Sequence, residues 1–157
     1  MDSHEFVTGS LSTDEVRVIE THIDDMNPEL LGFLMERLLD EGALDVAFSP
    51  LQMKKNRPAV RLTVIAPPLL LVHLSRIILL ESTATGIRHY PAERLKLERT
   101  AETRQTTLGE TRVKVLREAG AVVRISPEYE ECRRLAQEAG LPLAEVYRIV
   151  ERETGLV

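Results

Sequence analysis

The sequence predicts an α+β fold in which a ferredoxin-like βαββαβ unit is followed by a β-rich extension and two short C-terminal helices. The first observation comes from residues 16–91, where alternating stretches and stretches with helical spacing follow in the order strand, helix, strand, strand, helix, strand. That order matches the split βαβ arrangement. The second observation is that the pattern after residue 91 changes to alternating strands separated by turn signals.

Local signals mark the first strand and the first helix. The stretch EVRVIETHI is rich in β-branched residues and alternates valine with arginine, which predicts a strand over residues 16–23. Asn27 is a favourable N-cap, and Pro28 suits the first helical position. Apolar side chains then recur with helical spacing as far as Gly42, where the helix should end.

Turn residues mark the boundaries of the remaining strands and of the second helix. ALDVAFSPL and AVRLTVIAP are predicted to be strands of a hairpin that turns at QMKKNRP. Pro67 and Pro68 open a second helix, LLLVHLSRIILLES, and TGIRHYP returns as a short strand. This helix is apolar on nearly every side, so we expect it to contact a second layer or another subunit.

The chain divides into three parts. Residues 1–15 are polar and are expected to form a flexible lead or linker. Residues 16–91 form the ferredoxin-like unit. Residues 92–157 contain alternating strands and two short helices broken at Gly140-Leu141-Pro142, and we expect them to pack as one domain with the preceding unit.

Composition excludes several classes of protein. With 20 Lys and Arg against 25 Asp and Glu, the net charge of -5 lacks the basic footprint of a nucleic-acid-binding protein. The single cysteine, Cys132, allows no internal disulfide and suits a reducing compartment. The first residues contain no apolar segment flanked by basic residues. We therefore expect a soluble cytoplasmic protein with no membrane or nucleic-acid partner.

Two motifs of opposite charge could hold a cation and a phosphate. Asp24 and Asp25 can supply the hard oxygen ligands that magnesium or manganese needs, although acids here could equally favour the helix dipole. Lys54, Lys55 and Arg57 could surround phosphate oxygens, or could form a solvated turn. In this strand order the two motifs need not be adjacent, so the sequence leaves open whether they meet.

A third polar segment, ESTATGIRHY, offers hydroxyls, backbone amides and a guanidinium to an anion. The same residue types are also common in turns that connect a helix to a strand, without any ligand. The chain contains neither a Walker loop nor a dinucleotide-binding fingerprint. Cys132 is expected to be a core residue of a helix, because no histidine base lies near it in sequence.

Four segments, IETHIDDMNPELLGFLMERLLDEGALDV, QMKKNRP, ESTATGIR and PEYEECRRLA, together resemble the C-terminal part of the LarC nickel insertion proteins. The resemblance extends from about Val16 to Val150, and DDMNPE and MKKNRP are its most specific parts. The larger N-terminal region of that family, which often carries a histidine-rich stretch, is absent from this sequence. The resemblance therefore implies a C-terminal domain that acts with a missing N-terminal domain.

The resemblance also implies an activity. It implies a CTP-dependent cyclometallase that inserts nickel into pyridinium-3,5-bisthiocarboxylic acid mononucleotide, so maturing the nickel-pincer nucleotide cofactor of lactate racemase. CTP would be hydrolysed to CMP and pyrophosphate with magnesium or manganese. The implied metal ligands are Asp24 and Asp25. The implied phosphate-binding residues are Lys54, Lys55, Arg57, Thr83, Thr85, Arg88 and Lys114. No general base is identified.

Two functions without catalysis stay open. The apolar helix 69–80 could build a symmetric interface in an oligomerisation module, and we expect a homo-oligomer in which a site could also lie between subunits. A small-ligand regulatory domain of ferredoxin-like type is supported by strand order alone.

Overall fold

The computed structural model describes residues 11–155. These residues form two compact units. One unit consists of residues 13–94, and the other consists of residues 95–155 together with residues 11 and 12. No helix among the described residues is long and apolar enough to cross a membrane.

The first unit, here called the four-stranded unit, has the predicted order of elements. They are β1 (Ser12–Ile23), α1 (Pro28–Asp40), β2 (Asp45–Met53), β3 (Arg57–Ala66), α2 (Leu71–Glu81) and β4 (Arg88–Lys96). The strands form a single sheet in the order β2-β3-β1-β4, and β3 pairs antiparallel with both β1 and β2. This arrangement confirms the predicted ferredoxin-like βαββαβ topology.

One face of this sheet carries both helices. Ile19 and Ile23 of β1 are buried on that face, because alternate residues of a strand point to the same side. They pack with buried residues of β3, α1 and α2, which include Leu62, Val64, Leu34, Leu38, Leu74 and Ile78. The opposite face, here called the far face, carries the intervening residues, among them Glu20 and His22 of β1 and Arg61 of β3. Because burial fixes the apolar residues on the helix side, the polar residues between them are placed together on the far face.

Helix α1 begins and ends where the sequence predicts. The side chain of Asn27 accepts a hydrogen bond from the backbone N–H of Glu29 at 3.1 Å, and Pro28 is the first helical residue. After the helix, Gly42 adopts a φ of +98°, which an L side chain rarely adopts.

The first strand begins earlier than predicted. Residues 1–10 of the predicted flexible lead lie outside the described residues, but β1 already begins at Ser12. The guanidinium of Arg94 on β4 donates hydrogen bonds of 2.9 and 2.6 Å to the two carboxylate oxygens of Asp14. β4 is the neighbour of β1 in the sheet, and it continues to Lys96 instead of ending near residue 91.

The second unit, here called the three-stranded unit, confirms the predicted β-rich extension and its two helices. Its elements are β5 (Glu98–Thr106), β6 (Gly109–Glu118), β7 (Ala121–Pro127), α3 (Tyr129–Ala139) and α4 (Leu143–Thr154). The strands form an antiparallel sheet in the order β5-β6-β7. Val113 and Val115 of β6 pack against Cys132 and Leu135 of α3. Cys132 is fully buried, as predicted, and burial is the largest cause that raises the pKa of its thiol.

Two glycines of the α1 region should respond oppositely to alanine. A Cβ on Gly42 would lie 2.8 Å from Leu70 Cδ1, and its φ is positive. Gly32, inside α1, has nothing within 4 Å of the added atom. Gly42→Ala should lower the free energy of unfolding by at least about 1 kcal/mol, and Gly32→Ala should raise it by about 1 kcal/mol. Urea denaturation of both variants measures the difference, and changes of equal sign would contradict this account.

Candidate functional site

Four chain segments meet at one edge of the four-stranded sheet, here called the loop edge. Because β1 and β3 are antiparallel neighbours, the end of β1 lies beside the beginning of β3, with Ile23 opposite Val60. The β2–β3 connection is at the same edge, since Met53 pairs with Arg57. The beginning of β4 also lies there, because Arg88 contacts β1 near its end. The two charged motifs therefore do meet, which the strand order had left open.

An ion pair joins the two motifs. Nη1 of Arg57 lies 3.1 Å from Oδ2 of Asp24. The guanidinium side chain is 52% exposed and the carboxylate side chain 20% exposed. An ion pair in such a position contributes little to stability, typically below about 1 kcal/mol. Its main effect is to hold the guanidinium beside the acidic pair.

The second aspartate is tied to the α2–β4 loop. Oγ1 of Thr83 donates a hydrogen bond of 2.5 Å to Oδ1 of Asp25. The same loop is held farther along, where Oγ1 of Thr21 donates to the backbone carbonyl of Gly86 at 2.9 Å. These contacts bring the predicted residue Thr83 to the acidic pair. Thr85 lies in the same loop with an exposed side chain.

The basic turn has an unusual backbone. Lys54, Lys55 and Asn56 form a single 3-10 turn between β2 and β3. Lys55 and Asn56 have φ values of +62° and +56°. This left-handed conformation costs about 1–2 kcal/mol for a residue such as lysine, whereas asparagine adopts it more readily. Both lysines are exposed, and within residues 11–155 no ion pair joins either ammonium group to a carboxylate. Their charge is thus available to an anion.

Arg88 lies between an acid and a histidine on the far face. Its Nη2 is 2.7 Å from Nε2 of His22, and its Nε is 3.5 Å from a carboxylate oxygen of Glu20. The pKa of His22 is lowered, first by burial and then by the charges of Arg88 and Arg61, while Glu20 raises it. Sequence reasoning did not include His22 in the site. The available signal was its place at the end of the alternating β1 segment, two residues before Asp24.

Lys114, the remaining predicted phosphate-binding residue, lies on β6 of the three-stranded unit. In the sheet it is opposite Ala101 on one side and Ser126 on the other. The loop edge is built from residues of the four-stranded unit. The role predicted for Lys114 therefore stays a prediction.

The oxygen ligands at the loop edge fit a hard divalent cation that is shared with phosphates. Magnesium is typically bound by one or two carboxylates plus substrate phosphates, with water completing its octahedron. Asp24 and Asp25 supply two adjacent carboxylates. Within residues 11–155, no group of three or more His, Cys, Asp and Glu side chains is placed to hold a metal ion. Two carboxylates are thus the acidic ligands that the loop edge offers to such a cation.

A cleft lies next to the acidic pair. It has a volume of about 210 Å³ and is lined by Ile23, Asp24, Met26, Pro28, Leu31, Pro58, Ala59 and Val60. Its lining is mostly apolar, with the Asp24 carboxylate as its charged group. An apolar lining with few polar groups is typical of small-molecule pockets, although these are generally larger, about 300–1,000 Å³.

The fold and the loop edge define a ferredoxin-like α+β domain with groups suited to an anion and a hard cation. The family is shown by sequence: a family profile described as nickel insertion protein matches residues 6–147, and the chain belongs to this family. Curated proteins named as nickel insertion proteins from Geobacter sp. strain M21 and Citrifermentans bemidjiense are 68% and 69% identical over 141 residues. The aligned region covers 90% of this chain and 36% of each relative, so the chain spans about a third of their length.

A solved structure shows the same fold. It is LarC2, the C-terminal domain of a cyclometallase involved in the synthesis of the NPN cofactor of lactate racemase, in its apo form. The two chains superpose with a TM-score of 0.86 and are 37% identical. The match covers 91% of this chain and 99% of that domain.

We expect the Asp24–Arg57 ion pair to contribute little to the stability of the fold. Asp24→Asn and Arg57→Gln should each change the free energy of unfolding by less than about 1 kcal/mol, because the pair is exposed. Arg94→Gln is the matched comparison. It should cost more, because Arg94 makes two hydrogen bonds to Asp14 and its side chain is less exposed than that of Arg57, 34% against 52%. Chemical denaturation tests this order, and an equal loss in Arg57→Gln and Arg94→Gln would contradict it.

Proposed function

We propose that the chain is the C-terminal nucleotide-binding domain of a CTP-dependent nickel-inserting cyclometallase. The enzyme would mature the nickel-pincer nucleotide cofactor in the cytoplasm and hydrolyse CTP to CMP and pyrophosphate. The observation that carries the proposal is the meeting of the acidic pair and the basic turn through Asp24 and Arg57. Membership of the nickel insertion family and the likeness to LarC2 support it.

The basic turn would bind the triphosphate. Arg57 can form two parallel hydrogen bonds to phosphate oxygens, and Lys54 and Lys55 act as point charges. Cleavage between the α and β phosphates develops negative charge on the departing pyrophosphate. Positive groups that are already in position stabilise that charge without further reorganisation. Arg88 and Lys114 would add positive charge in this proposal.

Asp24 and Asp25 would hold magnesium or manganese. When bound, the cation would neutralise part of the phosphate charge. The hydroxyl of Thr83 orients the carboxylate of Asp25, and the carboxylate of Asp24 orients Arg57. Thr85 would offer a further hydroxyl to the phosphates. Nickel and the pyridinium dithiocarboxylate mononucleotide would be substrates, and the N-terminal domain of the longer protein would share in handling the metal.

A structural role in assembly is the second candidate, favoured by the surface of the second helix. The helix predicted from residue 69 begins at Leu71, after a 3-10 turn over Pro68–Leu70. Leu69 of that turn and Val72 and Leu80 of α2 are 96%, 78% and 74% exposed. Apolar side chains this exposed are typical of surfaces that contact another protein. A homo-oligomer formed through α2 is compatible with the nucleotide site, which involves a different part of the four-stranded unit. A small-ligand regulatory role has no such observation in its favour.

Nucleotide binding is tested by calorimetric titration of CTP, with and without manganese or magnesium, and with ATP for comparison. We expect CTP to bind preferentially and more tightly with the metal. Arg57→Gln should weaken CTP binding by about 10- to 100-fold, because a charged hydrogen bond contributes about 1.5–3 kcal/mol. Asp25→Ala should abolish the enhancement by metal, since it removes one of two carboxylate ligands.

The matched control is Arg76→Gln, which removes the same charge from an exposed position on α2. It should leave CTP binding unchanged. Circular dichroism and thermal melting establish that each variant is folded. A folded Asp25→Ala protein that keeps its metal dependence would contradict the assignment of the metal ligands.

The assembly role is tested by light scattering. Replacement of Leu69, Val72 and Leu80 together by serine should convert an oligomer into smaller species, because it removes exposed apolar surface from α2 and from the turn before it. The control is Val122→Ser, which removes an exposed apolar side chain from β7. A mass that does not change in the triple variant would contradict a role for this helix in assembly.

A further inference from the structure

The far face of the four-stranded sheet carries a row of polar side chains near the loop edge. Ser49 of β2 is opposite Arg61 of β3, and Arg61 is opposite His22 of β1. Arg88 of β4 contacts His22 from the other side. Directly opposed side chains have Cβ atoms about 4.5–5.5 Å apart. Two guanidinium groups therefore flank one imidazole across neighbouring strands.

This row has an excess of positive charge. Glu20 is the carboxylate that approaches Arg88, at 3.5 Å. Arg61 is exposed, and in the described part of the chain no ion pair joins it to a carboxylate. Two guanidinium groups and one carboxylate leave one positive charge. Like charges in one row repel, and an anion between them would relieve that repulsion.

The hydrogen bond between Arg88 and His22 has a specific consequence. A guanidinium can only donate hydrogen bonds, so Nε2 of His22 is the acceptor in this contact. A neutral acceptor orients the guanidinium without cancelling its charge. A carboxylate in the same place would orient it and neutralise it. His22 thus keeps the charge of Arg88 available to a ligand.

The row adjoins the proposed nucleotide site. A cavity of about 250 Å³ is lined by Glu20, Thr21, His22, Gly86, Ile87 and Arg88. The α2–β4 loop borders this cavity at Gly86, and its Thr83 contacts Asp25 at the loop edge. His22 is two residues from Asp24, and Arg61 is four residues from Arg57. Arg61 does not line this cavity, but it is opposite His22, which does, so a phosphate at the His22 side of the cavity would lie between the two guanidinium groups.

We propose that Arg61 and Arg88, with His22 as the positioning residue of Arg88, form a second anion site that binds the phosphate monoester of a pyridinium mononucleotide. The site rests on the proposed function, because that mononucleotide is the proposed acceptor of nickel. Arg88, whose charge was assigned above to the CTP phosphates, would then serve the second substrate instead, and the CTP phosphates would be bound by the turn at Lys54–Arg57. The domain would hold its two nucleotides side by side.

Nicotinamide mononucleotide is a suitable probe, since it has a pyridinium ring and a phosphate but no carboxylate. Its riboside, which lacks the phosphate, is the ligand control. In calorimetric titrations of the full chain, the mononucleotide should bind and the riboside should not. Arg61→Gln should weaken mononucleotide binding by about tenfold or more while CTP binding changes less than about twofold. Arg76→Gln, with the same charge change on α2, should alter neither.

Two substitutions of His22 separate positioning from packing. His22→Gln keeps a neutral acceptor and should retain mononucleotide binding. His22→Glu keeps an acceptor but neutralises Arg88, and should lose binding. A merely structural role would make the two variants alike once thermal melting shows that both are folded.

Several results would overturn the second site. They are equal binding of the riboside, equal weakening of CTP and mononucleotide by Arg61→Gln, or unchanged mononucleotide binding in that variant. Loss of mononucleotide binding in both His22 variants would also overturn the positioning role.

Titration of CTP into the unchanged protein reports separately on the proposed function. CTP binding without mononucleotide binding removes the second site alone, whereas mononucleotide binding without CTP binding removes the CTP assignment alone.

Discussion

The antiparallel pairing of β1 with β3 is the constraint on which the rest of the four-stranded unit depends. Its register places Ile19 opposite Val64 and Ile23 opposite Val60, so the apolar side chains of both strands face the helices. A shift by one residue would move every side chain of β1 to the other face and bury His22. Burial of the apolar set therefore also determines which polar groups gather at the loop edge.

The interactions within the candidate site are weak compared with those of the core. Asp24, Arg57, Asp25 and Thr83 are joined by contacts at the surface, where solvent screens charge. The core beneath them is formed by fully buried leucine, isoleucine and valine side chains. Stability and ligand recognition are consequently carried by different residues. Substitutions at the loop edge can test chemistry without unfolding the domain.

Most elements were predictable because their signals are local. Asn27 caps α1 and Gly42 follows its end, and both effects depend on a few neighbouring residues. The start of β1 was missed because Asp14 meets Arg94, which lies 80 residues away in sequence. The meeting of the charged motifs required the directions of neighbouring strands, and the importance of His22 required its contact with Arg88. Pairings of this kind depend on the tertiary fold and leave little trace in local composition.

The left-handed turn at Lys55 and Asn56 has a consequence for the thermodynamics of binding. Three residues connect two long paired strands, so the backbone of the basic turn is ordered when the hairpin forms. A flexible loop would lose backbone entropy on meeting an anion, and that loss would weaken its affinity. Here the ordering is part of folding, and only the lysine side chains remain to be immobilised. The domain thereby exchanges a small loss of its own stability for a rigid, preformed cationic surface.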